Sequence, residues 1–197
     1  MKSAIVTIEG VSPYSQSKHY ETPKLNKELP AAYEERTWRG RMHVTKSGHV
    51  EIPGTMLANC IKDAAKFLSI SVPGKGKATF TKHFDAGIMV PDGIVLPVIA
   101  AEVEADRLFV PSDGKPGGGK RVIKFFPRID EWGGAFTCLI LDDTITADVF
   151  RQVLVGAGQI IGIGRFRPRN RGFYGRFVVK QIEWKDEDAT MAAMGAA

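Results

Sequence analysis

Apolar and polar positions alternate from Ser3 to Glu9, which predicts a first strand. Residues 12 to 35 lose that periodicity and carry Pro13, Pro23 and Pro30 among Tyr14, Tyr20 and Tyr33. So long a polar excursion is a functional insertion or an interaction arm, extending over about 12–50. Beyond Gly54 the pattern turns helical. Leu57, Ile61, Ala64 and Leu68 share a stripe with Cys60 and Phe67 beside it, while Lys62, Asp63 and Lys66 face away. Thr55 is the expected N-cap and Pro73-Gly74 the expected stop. Strands are predicted near 84–90, 94–100 and 107–110, and glycine-rich Ser112 to Lys120 is expected to tip a basic hairpin over about 107–128. Ala135 to Leu141 reads as a buried strand. A second helix follows, capped by Thr146, with Asp148 in its first turn, a stripe of Val149, Phe150, Val153 and Leu154, and a stop at Gly156 and Gly158. In the last strand, Phe173 to Trp184, strict alternation puts Phe173, Phe177 and Val179 on one face. Tyr174, Arg176, Val178, Lys180, Ile182 and Trp184 fall on the other.

Without the insertions the order is strand, helix, strand, strand, helix, strand. This predicts an α+β, ferredoxin-like domain over 1–184, with two helices on one face of an antiparallel sheet and the other face open to ligands. Residues 185–197 are expected to form a disordered tail. No apolar run approaches the ~20 residues of a membrane span, and the N-terminus lacks the apolar core of a signal peptide. A cytoplasmic protein of a prokaryote or a phage-infected cell is expected, with Cys60 and Cys138 reduced and buried.

Charge adds a second layer. The chain has 27 basic and 22 acidic residues, net +5, but the cations are segregated. Residues 36–46 hold Arg36, Arg39, Arg41 and Lys46 with no acid. Residues 115–128 hold Lys115, Lys120, Arg121, Lys124 and Arg128, again unopposed. Residues 162–180 hold Arg165, Arg167, Arg169, Arg171, Arg176 and Lys180. Such clustering suits a polyanionic partner better than solubility alone does.

The densest candidate runs from Gly158 to Phe177. Gly162, Gly164 and Gly172 allow close backbone approach, the arginines supply forked donors for phosphate, and Phe166, Phe173 and Tyr174 offer stacking faces. Trp38, between Arg36, Arg39 and Arg41, reads either as another stacking face or as a buried anchor. Lys115, Lys120, Arg121 and Lys124 would clamp from the hairpin, and Lys75, Lys77 and Lys82 form a further basic turn. Gly114 to Lys120 matches the start of a phosphate-binding loop. However, Arg121 stands where Ser or Thr would hold magnesium, and a strand follows instead of a helix.

The Gly/Arg segment, together with Ile52-Pro53-Gly54-Thr55-Met56-Leu57, resembles the RAMP superfamily of CRISPR-associated proteins. In that family an "IPG-(S/T)-x-(L/I)" segment opens the first helix of a ferredoxin-like domain, and a glycine-rich loop precedes the last strand. The resemblance covers about half of the chain. It implies a backbone-type subunit that polymerises along guide RNA, with a thumb hairpin reaching the next copy. It would put Gly162, Gly164, Arg165, Gly172 and Gly175 in the RNA-facing loop, beside Pro53, Gly54 and Thr55. The chain is shorter than most such subunits, and Ala58-Asn59-Cys60-Ile61-Lys62 stands where the family often has lysine-glycine. A phage- or plasmid-borne single-strand DNA-binding protein with this fold fits equally.

The leading expectation is a non-enzymatic, sequence-tolerant binder of single-stranded nucleic acid, RNA or DNA. It would assemble in multiple copies as a homo-oligomer or filament, or with other subunits of a ribonucleoprotein, without cofactor, metal or membrane. Two other classes stay open: a metal-dependent nuclease centred on Asp142 and Asp143, and an interaction or inhibitor protein mimicking a nucleic-acid-binding subunit. Asp142-Asp143 equally suits a capping turn, and His19, His43, His49 and His83 show no zinc spacing.

Overall fold

The computed structural model describes residues 2–112 and 119–186. In chain order its elements begin with β1 (Lys2–Gly10), α1 (Pro30–Thr37), β2 (His49–Ile52), α2 (Gly54–Leu68), α3 (Thr81–Gly87) and β3 (Ile88–Met89). They continue with β4 (Ile94–Ile99), β5 (Glu104–Pro111), β6 (Arg121–Arg128), β7 (Gly133–Ile140), α4 (Ala147–Gly156) and β8 (Phe177–Asp186).

The main sheet has the order β3-β7-β1-β8, antiparallel throughout. Taking β1, β3, β7 and β8 as the four core strands, with α2 and α4 as the connecting helices, this is the ferredoxin-like arrangement. The hairpin β5–β6 and the pair β2–β4 form separate two-stranded sheets. Alternation on β1 turns Ala4, Val6 and Ile8 inward against Cys138 and Phe136 of β7. From α2 come Leu57, Cys60, Ile61 and Ala64 and from α4 Phe150, Val153 and Leu154, all in the same buried cluster. Phe150 stacks against Phe84 and meets Trp184 edge-on. Truncating so central a ring costs about 3–5 kcal/mol.

Local expectations hold where one side chain decides them. Thr146 caps α4, its hydroxyl accepting from the Val149 amide at 3.4 Å, and Asp148 lies in the first turn. Others give way to packing. α2 begins at Gly54 with Pro53 as its cap, so Thr55 lies inside the helix. Gly54 has no room for a Cβ against the Val90 carbonyl, which sets where the helix starts. α2 ends at Leu68, where Ser69 turns left-handed, and not at Pro73-Gly74. The segment predicted as a strand over 84–90 is mostly α3, because Phe80 and Phe84, four apart, both bury. α4 ends at Gly156 as expected, but a π turn, Ala157–Ile161, continues from it through Gly158.

The faces of β8 also change. Thr7 pairs with Gln181 but Ile8 with Val179, so Lys180 is an extra residue in a bulge. The bulge flips the alternation, and Phe177, Val179, Ile182 and Trp184 all pack on the core. β8 reaches Asp186, beyond the expected tail boundary, and residues 187–197 lie outside the described residues.

Candidate nucleic-acid interface

Beyond the Gly10 end of β1, two segments distant in sequence are sewn together. The Arg165 amide donates to the Ser15 carbonyl at 2.8 Å, Gly175 to Pro13 at 2.7 Å and Ile163 to Gly175 at 2.9 Å. Gly164 has φ +74°, and a Cβ there would run into the Ser15 carbonyl and the Tyr14 ring; only glycine fits. Phe166 also has a positive φ, +54°, a strained state for a bulky residue. It is held by the Tyr174 amide on its carbonyl at 3.0 Å and by edge-on contacts of its ring with Phe126 and Tyr174. The Tyr174 hydroxyl donates to Asp106 at 2.6 Å, so the loop is joined to the root of the β5–β6 hairpin. Burial, then this carboxylate, push the Tyr174 phenol above its usual pKa.

The strained turn lays the Arg165 guanidinium over the Phe126 ring, 4.7 Å from its centroid, and within 5.8 Å of the Phe166 ring. Among the described residues no carboxylate lies within ion-pair distance of Arg165. Burial first, and then the Arg41 charge, lower its pKa. A guanidinium held beside another cation raises the local positive potential. Two cavities meet at this side chain, sharing Arg165 and Ser17. One, of about 310 Å³, is lined by Lys18, Arg41, Lys124 and Phe126. The other, of about 360 Å³, opens toward the start of α2 and is lined by His43, Pro53, Thr55, Met56, Asn59, Arg167 and Asn170. Met56, which lines the second, accepts a hydrogen bond from the buried Tyr14 hydroxyl at 3.3 Å.

The other predicted residues divide sharply. Arg167 and Arg169 reach Asp63 of α2 at 3.4 and 3.6 Å. Arg176 is spent on the Gln159 carbonyl. Arg171 and Phe173 are exposed, while Gly162 is buried, its carbonyl accepting from the Cys60 thiol at 3.3 Å. Gly172 lies against the Phe166 carbonyl, where a Cβ has no space. Trp38 is a buried anchor, 4% exposed. Arg39 stacks on it at 4.3 Å and donates to the Val103 carbonyl at 3.2 Å. Arg41 pairs with Glu34 at 2.6 Å yet still lines the first cavity. Lys120 and Arg121 face a different, largely apolar cavity against α1; Lys124 borders both. Lys115 lies outside the described residues, as does most of the loop at the hairpin tip.

Sequence reasoning missed Lys18, His43, Asn59, Asn170 and the role of Phe126. A signal for Lys18 is present in the sequence, because the aperiodic insertion it belongs to reads as functional or as an interaction arm. The open sheet face, expected to bind ligands, carries Ser3, Ile5, Thr7, Thr137, Leu139, Gln181, Glu183 and Lys185, whereas most of the predicted arginines lie beyond the end of the sheet. Asp142 accepts from the Thr144 amide at 2.8 Å, as a capping turn does, and contacts His83 at 2.6 Å. Burial raises the Asp142 pKa, but these hydrogen bonds outweigh it and the net direction is down. Asp143 lies 3.5 Å from Lys2. Cys60 and Cys138 are free and buried, their thiols pushed up to about 12 by burial. Among the described residues no cluster of three or more His, Cys, Asp or Glu is placed to hold a metal, and no helix is long and apolar enough to cross a membrane.

No protein-family model matches the sequence, and no curated protein matches it. Similar solved structures include Cmr6 from Pyrococcus furiosus, at 14% identity over 91% of this chain and 99% of that one, TM-score 0.48. Another is a chain of a CRISPR RNA-guided surveillance complex, at 12% identity over 92% of this chain and 68% of that one, TM-score 0.39. At these scores the likeness bears on neither the ligand nor the site.

Proposed function

We propose that this protein binds single-stranded nucleic acid, without cleaving it, in the groove formed by the two cavities that meet at Arg165. The observation that carries this reading is Arg165 itself: stacked on Phe126, free of any carboxylate partner among the described residues, and grouped with Lys18, Arg41 and Lys124. Cations paired with an aromatic face suit a phosphate followed by a base. The RAMP resemblance of the Pro53-Gly54-Thr55 and Gly/Arg segments supports the same ligand class, because both segments border this groove. It also supports a backbone-type role in which several copies follow one strand, alone or with other subunits of a ribonucleoprotein.

Fluorescence anisotropy with labelled 20-mers of RNA and DNA across a salt series tests the reading. Neutralising three or four phosphates gives a log–log slope of about −2 to −3. Binding that is absent, or insensitive to salt, overturns it. Sizing of complexes on oligonucleotides of increasing length tests the multi-copy arrangement: stepwise growth is expected, and a constant stoichiometry of one rejects it.

A further inference from the structure

We infer that the second cavity is a nucleobase pocket, so that the strand is held with one base read out and not indifferently to sequence. This rests on the nucleic-acid reading above and narrows it.

The two cavities differ in chemistry. The first presents Lys18, Arg41, Lys124 and Arg165, donors that suit a phosphate and carry no information about the base. The second, at about 360 Å³, lies at the small end of the ~300–1,000 Å³ range of ligand pockets. Its lining combines Pro53 and Met56 with Asn59, Asn170 and His43, beside Arg165 and an Arg167 already paired with Asp63. A carboxamide NH2 can donate to phosphate, but its oxygen has no use on a pure phosphate track. A carboxamide does present a donor and an acceptor side by side, the pattern that matches a base edge. Among the described residues, none of these three polar side chains spends a hydrogen bond within the protein. Burial and the neighbouring Lys18 charge lower the His43 pKa, which favours the neutral ring, again donor and acceptor together.

The parts are also fixed relative to one another. Met56 is tied to Tyr14, Asn59 stands one turn further along α2, and Asn170 ends the short 3₁₀ turn Pro168–Asn170. Arg165 lines both cavities, so a phosphate in the first and a base in the second are compatible with a single bound nucleotide.

The experiment titrates the full chain with labelled 12-mers of A, of C and of U, for the wild type and for Asn59→Ala and Asn170→Ala. Each well-placed carboxamide contributes on the order of tenfold discrimination. The expected result is a preference of about tenfold for one homopolymer, reduced to about twofold or less in either variant, with the salt slope kept because no charge is removed. Tight, salt-dependent binding with equal affinity for all three overturns the inference and leaves the proposed function standing. A wild-type preference that both variants retain also overturns it, because the discrimination then lies elsewhere. Failure to bind any oligomer overturns the proposed function, and the base pocket with it. Circular dichroism and thermal melts establish that the variants, both at exposed positions, are folded.

Discussion

Arg165 and Arg167 are two residues apart on one loop and both line the second cavity, yet their charges meet different surroundings. Arg167, with Arg169, turns back to α2 and meets Asp63. Arg165 turns toward the hairpin and meets an aromatic ring and other cations. The first environment satisfies its charges, and a polyanion would have to displace a carboxylate to use them. In the second, Arg165 has no carboxylate partner among the described residues, and of the cations around it Arg41 alone is paired there, with Glu34. High arginine density is therefore a poor guide to binding until each guanidinium's partner is known. The same holds for the other basic windows. Arg36 pairs with Glu28, Arg41 with Glu34, Arg128 with Asp106 and Asp130, and Lys180 with Glu9.

The contrast can be broken most forcefully at the turn that creates it. Gly164→Ala is expected to abolish measurable binding and to lower stability by roughly 2 kcal/mol or more, through the Ser15 clash and the strained φ. Retained binding in anisotropy, with an unchanged melting temperature, would show that Arg165 does not need this turn.

Next in size, Arg165→Ala should weaken binding about 10- to 100-fold and reduce the salt slope by about 0.7, while the melting temperature stays within a few degrees. Arg167→Ala should weaken binding no more than about threefold, since its partner is Asp63. Equal losses in the two variants would erase the distinction between the two sides of the loop.

Asp63→Asn sharpens the comparison from the other direction. Releasing Arg167 and Arg169 should tighten binding about two- to fivefold and steepen the salt slope, at a stability cost of at most about 1 kcal/mol for these half-exposed pairs. Unchanged affinity would mean that the two arginines do not reach the strand even when freed.

The smallest effect concerns pH. His43 has a folded pKa below its ordinary value, owing to burial and then to Lys18. The folded state therefore resists protonation more than the unfolded chain does. Stability should decline as pH falls below the unfolded value of about 6.5 and level off below the folded pKa. A bound phosphate favours the imidazolium, so affinity should rise slightly over the same window. Thermal melts and titrations of the wild type and His43→Gln between pH 5 and 8 check both, and a His43→Gln profile identical to the wild type would remove His43 from the groove.

Much of the fold was legible along the chain because it rests on local periodicity. The stripes of α2 and α4, the Thr146 cap and the alternation of β1 each depend on residues a few positions apart. The errors arose where a distant contact decides. Gly54 packs against Val90, which moves the start of α2 ahead of Thr55. The register of β8 on β1 demands an extra residue at Lys180, which reverses its predicted faces. Phe84 stacks on Phe150, which makes α3 from a segment too short to show a period of its own.

The order of strands and helices, the positions of the glycines that turn the Gly/Arg loop, and the supply of arginines were all determined by the sequence alone. Which arginines remain free for a ligand was decided only by tertiary structure. Conformational preference is a property of neighbours in the chain, whereas a charge is satisfied or left open by whatever folding brings within a few ångströms. For Arg167 that was a carboxylate 104 positions away, and for Arg165 it was an aromatic ring and other cations.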